Sequence, residues 1–293
     1  MLFRSAFTGL TSGPYYFSVG DGSATNTYTG WINFGQRPFA YTPPTGFNAL
    51  QTYNLPTPTI QKGNQYFDVV LQDGNTTGRT ISSLNFQPDL VWAKDRARSS
   101  NARWGVIDSV RGVNKTLCTN LTDTEVTSQS DLLTSFNSSG FTIGADAGLY
   151  GWNGFAESWA HFCWKGGSTS VTNTSGTISS QVSANTTAGF SIVTYTGTGS
   201  AATVGHGLGV APSMIILKRR NAGSTPWPVY HSSVVSLANG KQFLLLNTTD
   251  AKGENGSATT FTSASSTTFG IRSEEHTSEL QSHSFISYAV FCL

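Results

Sequence analysis

Phe67-Asp-Val-Val-Leu71 returns 123 residues later as Phe190-Ser-Ile-Val-Thr194, and the landmarks after it keep nearly that distance. Phe86-Gln-Pro-Asp-Leu-Val-Trp-Ala-Lys94 answers Val210-Ala-Pro-Ser-Met-Ile-Ile-Leu-Lys218 at an offset of 124, Trp104 answers Trp227 at 123, Asn120 answers Asn247 at 127, and Phe141 answers Phe269 at 128. Order is kept while the offset drifts slowly, as small loop insertions in two copies of one unit would make it. Solenoid units run to about 20–50 residues, so a repeat of this length is a domain-sized module in tandem.

Inside the first copy, short β-rich runs alternate with turn signals. Strands are expected at Tyr66–Leu71, Thr80–Leu84, Leu90–Lys94, Trp104–Asp108, Lys115–Asn120, Leu132–Phe136, Gly140–Ile143 and Ser158–Trp164. Asp73-Gly74, Pro88, Gly112, Ser138-Ser139-Gly140 and Gly166-Gly167 punctuate them, a spacing that favours a sandwich or jelly roll. In Ser158–Trp164 a two-residue period sends Trp159, His161 and Cys163 to one face and Ala160, Phe162 and Trp164 to the other. Both faces carry bulk, which predicts a covered, central strand. Only Asp123–Leu133 offers a helix, of one or two turns. The second copy opens with matching strands at Phe190–Tyr195, Met214–Lys218, Val229–Ser232 and Gln242–Asn247. The fold class is therefore all-β, as tandem antiparallel β-sandwich modules of jelly-roll or concanavalin-like type with almost no helix.

Composition agrees and excludes other classes. Only 11% of the 293 residues are charged against a usual ~25%, and the net charge is +1, so neither a basic nucleic-acid binder nor a charged tail is expected. No apolar run reaches the ~18 residues of a membrane helix. Thirty-one glycines with abundant Ser, Thr and Asn, and 12% aromatics, are the usage of an extracellular or particle-surface β protein.

The ends break this texture. Arg272-Ser-Glu-Glu-His-Thr-Ser-Glu-Leu-Gln-Ser-His283 and Ile286-Ser-Tyr-Ala-Val-Phe-Cys-Leu293 resemble the forward translation of a common short-read sequencing-library adapter. Codons that spell Arg272–His276 have a reverse complement that reads Met1-Leu-Phe-Arg-Ser5, so both ends fit one oligonucleotide. The sequence thus assigns 1–5 and 272–293 to adapter artefact. It expects a second repeat, 189–271, that is truncated and lacks its central strand, whose counterpart would fall near 287–292. Setting both ends aside moves the net charge to +2 and leaves Cys118 and Cys163, too few for a disulfide framework.

The same reading sets the remaining boundaries. Residues 66–165 form the first repeat and 166–188 a Ser/Thr-rich connector, in which Val171, Ile178 and Val182 suggest a strand or hairpin. Residues 56–65 form a Pro-rich linker, and 6–55 a different module with no counterpart in the repeat. Asn33-Phe-Gly-Gln-Arg-Pro-Phe39 with Tyr41-Thr-Pro-Pro-Thr-Gly-Phe-Asn-Ala-Leu50 resembles the closing strands of SPRY-like, concanavalin-type sandwiches in tail and structural proteins of marine tailed bacteriophages. Phe86–Trp92, Asp108-Ser-Val-Arg-Gly112, Leu133–Phe136, Gly140–Gly144 and Gly189–Gly199 are similar to an uncharacterised phage repeat domain that comes after such modules. The resemblance implies a virion component of a tail fibre or receptor-binding apparatus, extracellular, with other virion subunits and a host-surface glycan as partners. It allows a homo-oligomer, such as a trimer, in the full-length protein. It transfers no catalytic residue.

Chemistry-bearing motifs are sparse. Gly197-Thr-Gly-Ser200 and Gly205-His-Gly-Leu-Gly209 lack the strand-then-helix context of a phosphate loop and read as hairpin turns. His161, His206 and His231 share no metal-ligand spacing, and Asp89, Asp95 and Asp108 read as solvated turns, so no metal and no cofactor is expected. Asp108 and Arg111 are expected to pair and fix a turn. With no paired carboxylates and no nucleophile motif, no catalytic residue and no enzyme is expected.

Binding residues are sought where the copies agree. Lys94, Arg96, Arg98 and Trp104 lie at and after one strand of the first repeat, and Lys218, Arg219, Arg220 and Trp227 at and after its counterpart in the second. Cations beside an exposed indole suit a glycan, through stacking and a salt-sensitive attraction. The expectation is a non-enzymatic structural or host-adhesion segment, with a carbohydrate-binding module of a secreted glycan-active enzyme as the alternative.

Overall fold

The computed structural model describes residues 57–97, 103–145, 150–154, 157–237, 242–253 and 260–272, the positions 42 and 45, and the backbone of 283–290. The chain divides into two compact units after Pro58. The sequence-predicted module at 6–55 and the segment 1–5 lie outside the described residues apart from those two positions. The second unit holds both copies of the repeat.

Its first copy contains β1 (Phe67–Asp73), β2 (Arg79–Ile81), β3 (Leu90–Asp95), β4 (Gly105–Asp108), β5 (Leu117–Cys118), β6 (Leu133–Asn137), β7 (Gly140–Ile143) and β8 (Ser158–Trp164). Two strands of the connector come next, β9 (Val171–Asn173) and β10 (Ser180–Asn185). The second copy contains β11 (Phe190–Gly197), β12 (Ala202–Gly205), β13 (Met214–Arg219), β14 (Pro228–His231), β15 (Leu244–Leu245), β16 (Phe261–Ala264), β17 (Thr268–Ile271) and β18 (His283–Val290). Among the described residues the one helical piece is a 3₁₀ turn at Gly63–Gln65.

The two copies share a strand order. The first builds a large sheet, β1-β8-β3-β4-β5, and a small one, β2-β7-β6; the second builds β11-β18-β13-β14-β15 and β12-β17-β16, with all pairs antiparallel. In each, the last strand returns to lie between the first and third, a Greek-key type of connection. The connector strands β10 and β9 extend the second large sheet beyond β11.

β8 shows why the sequence folds this way. It pairs with β1 and β3 on its two sides, with Trp159 opposite Gln72 and Asp95. Trp159 and Cys163 enter the core between the first copy's two sheets with Val91, Ile107, Phe141 and Trp152, while Trp164 on the opposite face packs towards Leu90, Phe190 and Ile192. The second copy has an equivalent core of Val193, Ile215, Leu217, Phe261 and Phe269. The third cluster joins the copies: Leu90, Val106 and Leu117 of the first large sheet meet Ile192, Ile216 and Trp227 of the second. Two sandwiches are thus packed back to back through their large sheets. The inner strands β3, β4 and β13 are covered on both faces and read as nearly continuous apolar runs, whereas the edge strand β1 leaves Phe67, Val69 and Leu71 exposed.

Two sequence expectations are corrected. No helix forms at Asp123–Leu133. Val126 instead exchanges both backbone bonds with Thr116 (3.1 and 2.9 Å), and the Glu125 N–H donates to the Arg220 carbonyl at 2.8 Å. Such tertiary bonds outweigh a helix too short to repay its nucleation. The second copy also does not end with an open slot at Ile271. Residues 283–290 fill it as β18, running from Val290 opposite Phe190 to His283 opposite Gly197, and from Val290 opposite Met214 to Phe285 opposite Arg219. The codon relation between the ends bears on the origin of the residues. The slot presents two rows of backbone N–H and C=O groups, which an extended segment of the right length satisfies.

Truncation after Ile271 is therefore expected to destabilise the second copy by several kcal/mol, read as a fall in Tm at roughly 2–4 °C per kcal/mol. A change within about 0.5 kcal/mol would show that 283–290 do not hold the slot in solution.

Candidate functional site

The chain from β5 to β6 reaches across to the second copy and is clasped there. Trp227 Nε1 donates to the carbonyls of Cys118 (3.1 Å) and Leu121 (3.0 Å). Lys218 Nζ donates to the Thr122 carbonyl at 3.1 Å and to Thr225 O and Oγ1 at 2.6 and 2.8 Å, and lies 5.8 Å from the Trp227 ring centroid. Burial pulls its ammonium down to about 8, with Arg219 adding to the effect and Asp123 opposing it.

An ion-pair chain runs beside this contact. Arg111 bonds Asp108 through Nε at 2.5 Å and Glu125 through Nη1 at 2.9 Å, and Arg220 of the second copy reaches the other Glu125 oxygen at 2.7 Å. Burial alone would raise the Glu125 carboxyl, but the guanidiniums of Arg111 and Arg220 hold it below its ordinary value. A carboxylate shifted this way contributes stability above its unfolded pKa, near 4.5, and loses it as pH falls through the lowered folded value. Removing one member would leave a buried charge unpaired, which costs about 3–5 kcal/mol.

These bonds take Lys218 and Trp227 out of the sequence-derived binding set. Lys218 and Trp227 are both 0% exposed, so neither can meet a ligand without separating the copies. Arg220 is committed to Glu125, and Arg219 is half-buried at the end of β13. In the first copy Arg96 is exposed, with its N–H on the Ser158 carbonyl at 2.7 Å, while Arg98 lies outside the described residues. Lys94 and Trp104 remain together: Lys94 Nζ stands 4.6 Å from the ring centroid of the half-buried Trp104. One motif is legible in both copies, but which copy faces solvent is decided by sheet packing, and a motif does not encode that.

Other expectations fall on either side. Asp108 does fix its turn, Oδ1 accepting from the N–H groups of Val110 and Arg111 at 3.1 and 2.9 Å. Asp89, Asp95 and Asp108 are buried rather than solvated. Asp89 anchors the connector by accepting from Ser109 Oγ, Gly166 N and Ser168 N at 2.7, 2.8 and 3.2 Å, and burial raises its carboxyl while those bonds lower it. His161 sits among Phe141, Trp152 and Trp159, with Nε2 2.8 Å from Gln72 Oε1; burial, with Arg79 adding, lowers it to about 3, so it is a neutral core residue. The glycine-rich segments join β11 to β12 and β12 to β13, with Gly199, Gly207 and Gly209 at positive φ. Among the described residues no three His, Cys, Asp or Glu side chains converge as a metal site.

The first copy's version of the clasp is open. Trp104 N–H donates to Asn120 Oδ1 at 3.0 Å, as Trp227 N–H does to Asn247 Oδ1 at 2.9 Å, so the two tryptophans are held by equivalent asparagines. Yet among the described residues Trp104 Nε1 makes no counterpart of the Trp227 bonds. A cleft of about 530 Å³ is lined by Trp92, Trp104, Thr119 and Asn120 of the first copy and by the second copy's 246–250 segment. The sequence singles out Trp104 but misses Trp92, Asn120, Asn247 and Asp250 as site residues. The repeated pair Asn120 and Asn247 is a usable signal for them.

Residues 62–291 match DUF7483, described as a domain of unknown function. The chain belongs to this family. The matched DUF7483 span takes in both sandwiches and every strand from β1 to β18, so the family unit is the packed pair. No curated protein and no solved structure matches the chain.

The two tryptophans should separate in mutagenesis. Trp227→Ala removes a buried indole from between the copies and is expected to cost about 3–5 kcal/mol in denaturant unfolding. Trp104→Ala should cost several-fold less. Equal losses would contradict the open-and-closed asymmetry.

Proposed function

We propose that the DUF7483 pair is a non-enzymatic structural and host-adhesion segment of a phage tail protein, acting outside the cell with other virion subunits and a surface glycan as partners. The observation that carries this reading is the cleft beside Trp104, where aromatic rings meet amide, hydroxyl and carboxylate side chains on a body braced by buried ion pairs. Rigid sheets that hold short binding loops are the usual architecture of recognition. Flat aromatic rings bordered by polar groups suit the mixed surface of a sugar. The virion assignment rests on the resemblance of 33–50 and the repeats to phage tail proteins. The same cleft favours a second reading, a carbohydrate-binding module attached to a glycan-active enzyme.

Immobilised protein is expected to retain bacterial surface polysaccharide and return it at unchanged molecular mass. Shortened chains in the eluate would contradict the non-enzymatic reading, and failure to retain any polysaccharide would contradict adhesion.

A further inference from the structure

The contact between the copies is reciprocal in its parts, as in an isologous interface where residue i meets j and j meets i. The first copy's segment after β5 serves the second copy's Lys218 and Trp227, and the second copy's segment after β15 faces the first copy's Trp104. At an offset of 127, Leu121, Thr122 and Asp123 correspond to Thr248, Thr249 and Asp250. The closed half therefore displays what the motif binds. Its donors are an indole N–H and an ammonium, and the groups that accept from them across the contact are uncharged oxygens, the carbonyls of Cys118, Leu121 and Thr122.

In the open half the corresponding tryptophan, Trp104, lines a cleft instead, with Lys94 Nζ 4.6 Å from its ring centroid. The cleft's volume lies in the ~300–1,000 Å³ range of small-ligand sites. We propose that this open half binds a short uncharged oligosaccharide, held between Trp104 and the 246–250 segment, with sugar oxygens taking the places that backbone carbonyls occupy in the closed half.

The charges select against an acidic glycan. Asp250 alone is charged among the residues lining the cleft, and it would repel a carboxylate or sulfate, while the nearby Lys94 ammonium is held over the Trp104 ring rather than on the cleft lining. The second copy's cations that could draw one are committed elsewhere: Lys218 is buried and Arg220 is paired with Glu125. Asp250, Thr248 and Thr249 are exposed and can exchange bonds with hydroxyls. Trp92 widens the apolar wall, so that a second sugar ring can sit beside the first.

This inference rests on the adhesion reading and is tested apart from it. Intact protein is applied to an array of neutral and acidic glycans at about 50 mM and about 500 mM salt, which screens exposed charges strongly at the higher value. Neutral glycans should bind, with less than about twofold change between the two salts. Trp104→Ala should weaken binding at least about tenfold, with unfolding by denaturant checked in parallel. Thr249→Arg, which fills the cleft from an exposed position, should abolish binding and leave the melting curve in place. Binding only to acidic glycans, or binding indifferent to both variants, overturns the cleft while adhesion stands. No glycan binding at all overturns both. A synthetic peptide spanning 117–125 that binds in a Trp104-dependent way where sugars do not would make the open half a docking site for another repeat, and would overturn the oligosaccharide.

Discussion

A buried indole that donates to two carbonyls of another sandwich is the constraint on which this structure turns. Trp227 Nε1 meets Cys118 O and Leu121 O at 3.1 and 3.0 Å, inside the apolar cluster through which the large sheets pack back to back. Everything nearby is consistent with it. Lys218 can be buried because the same segment supplies Thr122 O, and Glu125 can be buried because guanidiniums from both copies reach it. A polar network of this kind is costly when half-made, so it favours one relative placement of the two copies over neighbouring ones.

The consequence is that two copies of one motif have different fates. Lys94 with Trp104 and Lys218 with Trp227 occupy matching positions, and both tryptophans hang from an asparagine through the backbone N–H. One pair is part of the interior and the other borders a cleft. Tandem duplication supplies such a situation readily: a contact that holds one module to the next uses up one copy of a surface and leaves the other available.

Much of the fold is legible in the residues because its signals are local. Alternation in Ser158–Trp164 marks a central strand, and Gly140–Ile143 and Ser158–Trp164 emerge with the bounds the pattern suggests. The offsets of 123–128 anticipate a common strand order because landmark residues sit at equivalent core positions, Phe141 and Phe269 in the two sandwich cores. What escapes such a reading is non-local. Nothing near Lys218 announces that Thr122, 96 positions earlier, will cap it. Asp89 looks like a turn residue until Gly166 and Ser168 fold onto it. The Asp123–Leu133 stretch has a helical start, but Arg220 and Thr116 claim its backbone.

Hydrogen exchange of the indole N–H groups, monitored by NMR and assigned by Trp→Phe substitution at each of the seven tryptophans, tests the locking of the two copies most directly. The Trp227 Nε1–H should exchange only when the copies separate or unfold, while the Trp104 Nε1–H should exchange at a rate close to that of an exposed indole. Equal, rapid exchange at both positions would mean that the two sandwiches are not locked together and that the closed and open halves do not differ.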